Sequence, residues 1–188
     1  IEENLLAEAE ETAKRVLAET EKAVATDPQD ANERRNLSVG YNDLARVLRD
    51  GGRPREAIAY HERALQIIEK LAAAASSSNE FKSDEILTRS FLAQAQLDAG
   101  DYAAALANFE RCAAAYEKDL VAAPAVARTK DDLATVYAGI GSALAQRKQF
   151  ARALEFFDRA VPFAEVAARQ SPDNARVQIR LAKTYFES

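Results

Sequence analysis

The chain repeats itself every 48 residues, and this constrains its fold more than any local motif does. Ala9, Ala57, Ala105 and Ala153 keep that spacing. So do Arg15, Arg63, Arg111 and Arg159, and Glu21, Glu69, Glu117 and Glu165. Pro28, Pro124 and Pro172 follow it with Ser76 in the second slot, and Tyr41, Tyr137 and Tyr185 follow it with Arg89 in the odd place. Such self-similarity reads as one supersecondary unit stacked several times, because a lone unit cannot bury its apolar face.

The unit is helical. Alanine, the strongest helix former, supplies 41 of 188 residues, while Gly (6) and Pro (5) are too few for a many-turned β fold. Leu37, Tyr41, Leu44, Ala45 and Leu48 fall on one helical stripe, and Ala57, Tyr60, His61, Ala64, Leu65 and Ile68 on the next. Asp27-Pro28-Gln29-Asp30, Ser76-Ser77-Ser78-Asn79 and Ser171-Pro172-Asp173-Asn174 read as turns that end in an N-cap. Asp50-Gly51-Gly52-Arg53-Pro54 and Ala99-Gly100-Asp101 close the other turns, with glycine as the left-handed cap and Pro54 opening a helix. Arg147-Lys148-Gln149 has no glycine there, so that turn is expected to be less well defined. The reading is all-α, with eight helices near 2–25, 30–50, 54–75, 79–99, 102–122, 126–147, 150–170 and 174–187, joined as antiparallel pairs.

These residues resemble the tetratricopeptide-repeat family, whose unit is a helix pair. The first helix of that pair carries a large residue, Leu and a small residue; a Gly–x–Tyr turn and an Ala–aromatic–Ala second helix follow. Tyr41, Leu44, Ala45, Gly52, Pro54, Ala57, His61 and Ala64 match it, as do Leu92, Ala93, Gly100, Tyr102, Ala105, Phe109 and Cys112. Tyr137, Ile140, Gly141, Phe150, Ala153, Phe157 and Ala160 make the third match. The unit is longer than the usual 34 residues or so and is similar to repeats of large bacterial signalling proteins, serine/threonine kinases among them. On this register one repeat domain spans 1–188, with units at about 29–76, 77–124 and 125–172 and half-units at 1–28 and 173–188. The chain opens at Ile1 without a Met and reads as a fragment of a larger protein. Both half-units are expected to show apolar surface, Leu181, Tyr185 and Phe186 at the C-terminal one.

The resemblance implies a right-handed superhelical solenoid whose first helices line a concave groove. The groove positions map to Val39, Asn42, Arg46 and Arg49, then Leu87, Ser90, Gln94 and Asp98, then Thr135, Ala138, Ser142 and Gln146. The Lys–Asn–Lys–Arg carboxylate clamp of some family members has no counterpart here. The expected function is a non-catalytic scaffold that binds a peptide or partner segment. A regulatory region of a larger bacterial enzyme such as a serine/threonine kinase is one alternative, and self-association through the open half-units is another.

Charge and residue inventory narrow the function further. The net charge of −5 argues against nucleic acid, and no apolar run reaches membrane-span length. Residues 33–63 carry seven basic and five acidic side chains, so an acidic partner near Arg46 and Arg49 competes with an ordinary solvated surface. With a single Cys112 no internal disulfide forms, and the expected location is the cytoplasm. His61-Glu62 begins like the helical zinc motif, but Leu65 stands where its second His belongs; His61 and Cys112 both read as core. Gly139-Ile140-Gly141 starts like a dinucleotide loop and reads instead as close helix packing, since Leu144 replaces the third glycine and no strand precedes it. No catalytic set, metal or cofactor is expected. The periodic Arg and Glu sets read as repeat inheritance on a polar face or as ligands.

Overall fold

Local signals set the helices. In a computed structural model, residues 2–75, 77–123, 126–170 and 178 are described. They form α1 (Glu2–Thr26), α2 (Ala31–Asp50), α3 (Pro54–Ala74), α4 (Asn79–Asp98), α5 (Tyr102–Ala122), α6 (Ala127–Gln146) and α7 (Phe150–Gln170), with no strand among the described residues. Each boundary lies within one residue of the sequence reading. The first helices α2, α4 and α6 start 48 residues apart, and so do the second helices α3, α5 and α7. The eighth helix and Leu181, Tyr185 and Phe186 lie outside the described residues, as do Ser76, Pro124 and 171–174.

The caps are built from the residues that mark them. The Asp30 carboxylate accepts from the backbone N–H of Asn32 and Glu33 at 2.7 and 3.2 Å, and Ser78 Oγ from that of Phe81 at 3.4 Å. Asp101 accepts from Ala104 N–H at 3.3 Å. Gly52 and Gly100 take left-handed conformations with φ of 76° and 85°. The third turn corrects the expectation: Lys148 adopts φ 61° in the register position of those glycines. Lys148 N–H donates to Ala145 O and Gln149 N–H to Leu144 O, both at 2.9 Å, matching the 2.9 Å bonds of Gly52 to Arg49 and Arg53 to Leu48. The hydrogen-bond pattern, rather than the glycine, defines this turn.

The helices group into two compact units, residues 1–99 and 100–188. In the first, α1 packs on α2, α2 on α3 and α3 on α4, and α2 also touches α4. Leu17, Leu37, Leu44, Ala45, Leu48, Ala57 and Ala95 form one apolar cluster and Leu65, Ile68, Leu71 and Leu92 another. In the second unit α6 packs on both α5 and α7, burying Phe109, Leu133, Val136, Ile140, Leu144 and Phe157. Gly139 and Gly141 are the close-packing residues expected. A Cβ on Gly139 would come within 2.5 Å of the Phe109 ring, and one on Gly141 within 2.6 Å of the Phe157 ring. Cys112 is buried at 1% exposure.

Candidate functional site

In the first unit the two first helices are laced along their length. Arg35 on α2 pairs with Asp84 on α4 at 2.5 Å and with Glu80 at 3.0 Å. Further along, the Arg46 guanidinium lies 5.6 Å from the Phe91 ring centroid, and Arg49 Nε stands 3.6 Å from Asp98 Oδ2. Val39 is exposed on this face, Leu87, Ser90 and Gln94 are half-buried, and Gln94 donates to Asp98 at 2.9 Å. Arg46 also meets Asp43 at 3.4 Å and Arg49 meets Asp50 at 3.0 Å. Both arginines thus face nearby carboxylates and do not form a bare anion site.

Asn42 is placed differently from its neighbours in the predicted row. It is 8% exposed and lies beneath the face. Its amide oxygen faces His61 Nδ1 at 2.8 Å and its amide nitrogen donates to Thr88 Oγ1 at 2.9 Å. An amide oxygen only accepts, so Nδ1 of His61 carries the proton. Burial, with Arg49 and then Arg46 adding repulsion, drives the His61 pKa from 6.5 to about 3, so the ring is neutral. In the second unit Thr135, Ala138, Ser142 and Gln146 lie along α6; Thr135 bonds back to Asp131 O at 3.0 Å and Gln146 is exposed.

The periodic charged sets acquire a role that sequence reasoning missed. Tyr41 donates to Glu21 at 3.0 Å, and Tyr137 to Glu117 at 2.6 Å. Arg159 donates to Glu117 at 2.8 Å and to Tyr137 Oη at 2.7 Å, with its guanidinium 4.2 Å from the Tyr137 ring centroid. Arg63 lies 5.9 Å from the Tyr41 ring. Each trio joins a glutamate on one second helix, a tyrosine on the next first helix and an arginine on the second helix after it. Burial, with the Glu117 bond adding, pushes the Tyr137 phenol up to about 12. Arg89, in the tyrosine slot, reaches Glu69 at 2.6 Å. The signal was in the sequence as constant separations of 20 and 42 residues between members of different sets. Among the described residues no group of three or more His, Cys, Asp or Glu side chains is placed to hold a metal, and no helix is long and apolar enough to cross a membrane.

A family model for the tetratricopeptide repeat matches residues 40–118. This stretch belongs to the tetratricopeptide-repeat family. No curated protein matches the chain significantly in sequence. Among solved structures, the crystal structure of BtubC (BKLC) from P. vanneervenii is similar over 96% of this chain, with a TM-score of 0.60 and 19% identity. The match takes in 63% of that chain, so this chain spans under two thirds of its length. At this identity the likeness shows an all-helical repeat fold. Tetratricopeptide repeats suggest a protein-interaction scaffold and are typically non-catalytic.

Proposed function

We propose that the chain is a non-catalytic interaction module that holds a peptide or partner segment against its first-helix face. The observation that carries this is the laced α2–α4 surface, where Val39, Arg46, Arg49, Leu87, Ser90, Gln94 and Asp98 share one mainly polar face. Asn42 supports that face from below through His61 and Thr88. Thr135, Ala138, Ser142 and Gln146 are the register counterparts on α6, within the second unit. In this reading the repeat units run over 29–76, 77–124 and 125–172, with half-units at 1–28 and 173–188 of one repeat domain. A peptide array followed by titration tests it. Arg46→Glu and Ser90→Lys should each weaken the ligands found by tenfold or more. Ligands that ignore both changes but are lost on substitution of exposed Glu62 and Gln66 of α3 would overturn the assignment.

The similarity of the long unit to bacterial signalling repeats supports placing the module in the cytoplasm beside a signalling enzyme. The complete gene, read for a kinase signature, tests that placement. Self-association is a second reading, favoured by the apolar side chains that α1 exposes: Leu5 at 60%, Val16 at 43% and Leu6 at 36%.

A further inference from the structure

The trough between α2 and α4 has a chemical sign. The ion pairs along it join three arginines to five carboxylates, so the surplus is negative. Near the start of both helices Arg35 faces Glu80 and Asp84. Near their ends Arg49 faces Asp50 and Asp98, and Arg46 meets Asp43 between. At each end a guanidinium lies lower than carboxylates beside it. The Arg49 side chain is 25% exposed against 56% for Asp50 and 40% for Asp98, and Arg35 is 33% exposed against 61% for Glu80. Gln94 uses its amide N–H on Asp98, which leaves its amide oxygen as an acceptor. A carboxylate bonded once still has lone pairs to offer. Both ends of the trough therefore present acceptors and negative charge to an incoming chain.

Spacing adds to the sign. Arg35 to Arg49 and Asp84 to Asp98 each span fourteen residues, which is about 21 Å at the helical rise. An extended chain covers that length in about six residues. Next to the Glu80–Asp84 end the walls are apolar: Val39 is 45% exposed, and its register counterpart Leu87 is half-buried. They follow Arg35 and Asp84 by four and three residues, a step of about two residues of extended chain. Alternate residues of such a chain face the same side, so its first, third and seventh side chains all turn toward the trough. Asn42 and Thr88, bonded to each other, close the floor below. In the middle the Arg46 guanidinium lies over the Phe91 ring and donates, among the described residues, only to Asp43. Its other N–H groups suit the backbone carbonyls of a bound chain, so Arg46 serves the middle of the segment rather than its charged ends.

We propose that the α2–α4 trough takes an extended basic peptide segment, with Lys or Arg at its first and seventh positions and an apolar residue at its third. The first basic residue meets Glu80 and Asp84, the apolar one Val39 and Leu87, and the second basic residue Asp50 and Asp98. This rests on the reading of the first-helix face as the binding face and gives that face its partner chemistry.

Fluorescence polarisation with labelled, end-capped seven-residue peptides tests it. One peptide has lysine at positions one and seven, leucine at three and serine elsewhere. In a second, glutamate replaces both lysines; in a third, the second lysine moves to position four; in a fourth, serine replaces the leucine. The first should bind the wild type about tenfold more tightly than the second and measurably more tightly than the other two, and its binding should weaken with added salt. Glu80→Lys and Asp98→Lys should each weaken it by about tenfold while keeping their helical circular dichroism. A lysine peptide that does not bind, that binds no better than the glutamate or shifted peptide, or that ignores both variants overturns the inference. Array ligands that are lost on Ser90→Lys but lack the basic pattern overturn the inference and leave the binding face standing. Ligands lost only on substitution of Glu62 and Gln66 overturn both.

Discussion

His61 on α3 and Phe109 on α5 hold the same place in the 48-residue register, and both are sealed from solvent at 0% exposure. Their surroundings are built in opposite ways. In the first unit the second helix supplies the smaller imidazole and the neighbouring first helix supplies the bulk, with Phe91 5.9 Å from the imidazole, centroid to centroid. In the second unit the second helix supplies the bulk, and the counterpart of Phe91 is Gly139, whose missing side chain admits the Phe109 ring. The polar partner changes too. Thr88, which accepts from Asn42, is replaced at the same register position by buried Val136. Bulk passes from one helix to its neighbour, and the polar groups are either paired, as Asn42 is with His61 and Thr88, or replaced by an apolar side chain. The first unit leaves one strand of this loose: His61 Nε2 is buried and faces no hydrogen-bond partner among the described residues.

The largest expected effect comes from acid. The unfolded chain takes up a proton on His61 near its ordinary pKa of 6.5, and the folded chain only near about 3. The stability due to the neutral ring is therefore complete above the upper value and lost as pH falls toward the lower one, by about 3 kcal/mol at around pH 4. Urea unfolding at neutral and acid pH should show that excess loss in the wild type and not in His61→Phe/Phe91→Gly, which carries the pair of the second unit. Equal losses in the two proteins would break the comparison. Next in size is Gly139→Ala. Its methyl group meets a fully buried ring, and the overpacking cost of about 1–3 kcal/mol outweighs the helix-propensity gain of at most about 1. Thermal melting reads it, and an unchanged or raised Tm would show that the ring yields. The smallest concerns the turns. Lys148 bears left-handed strain that Gly52 and Gly100 do not. Lys148→Gly should stabilise the protein by up to about 1 kcal/mol, and a lowered Tm would mean that the lysine side chain contributes more than its backbone costs.

Much of the architecture was legible because its causes are local. Asp30, Ser78, Asp101 and Pro54 mark helix starts by chemistry that acts over three or four residues, and the apolar stripes follow the helical period. The burial of His61 and the tight approach at Gly139 were readable for the same reason: each sits on a stripe where only the interior side of a helix is left. The face itself was less legible. Asn42 belongs to the same helical row as Arg46 and Arg49, yet its bonds to His61 and Thr88 hold it inside while the two arginines remain partly exposed. The order of the Lys148 turn was not legible, because the pattern of backbone bonds, which only the assembled turn displays, holds Lys148 where its own preference would not.

By itself the sequence determined that this chain forms helices of about twenty residues, where they begin and end, and which stripe of each is apolar. Spacing, caps and propensity act within a few residues and need no neighbour. Only the tertiary structure decided which side chains meet across those helices: Glu21 with Tyr41, Asn42 with His61, Phe109 with the bare backbone of Gly139. Such meetings depend on how far each rod turns about its axis to fill the volume its neighbours leave, and that is a property of the packed set, not of any one stretch of chain.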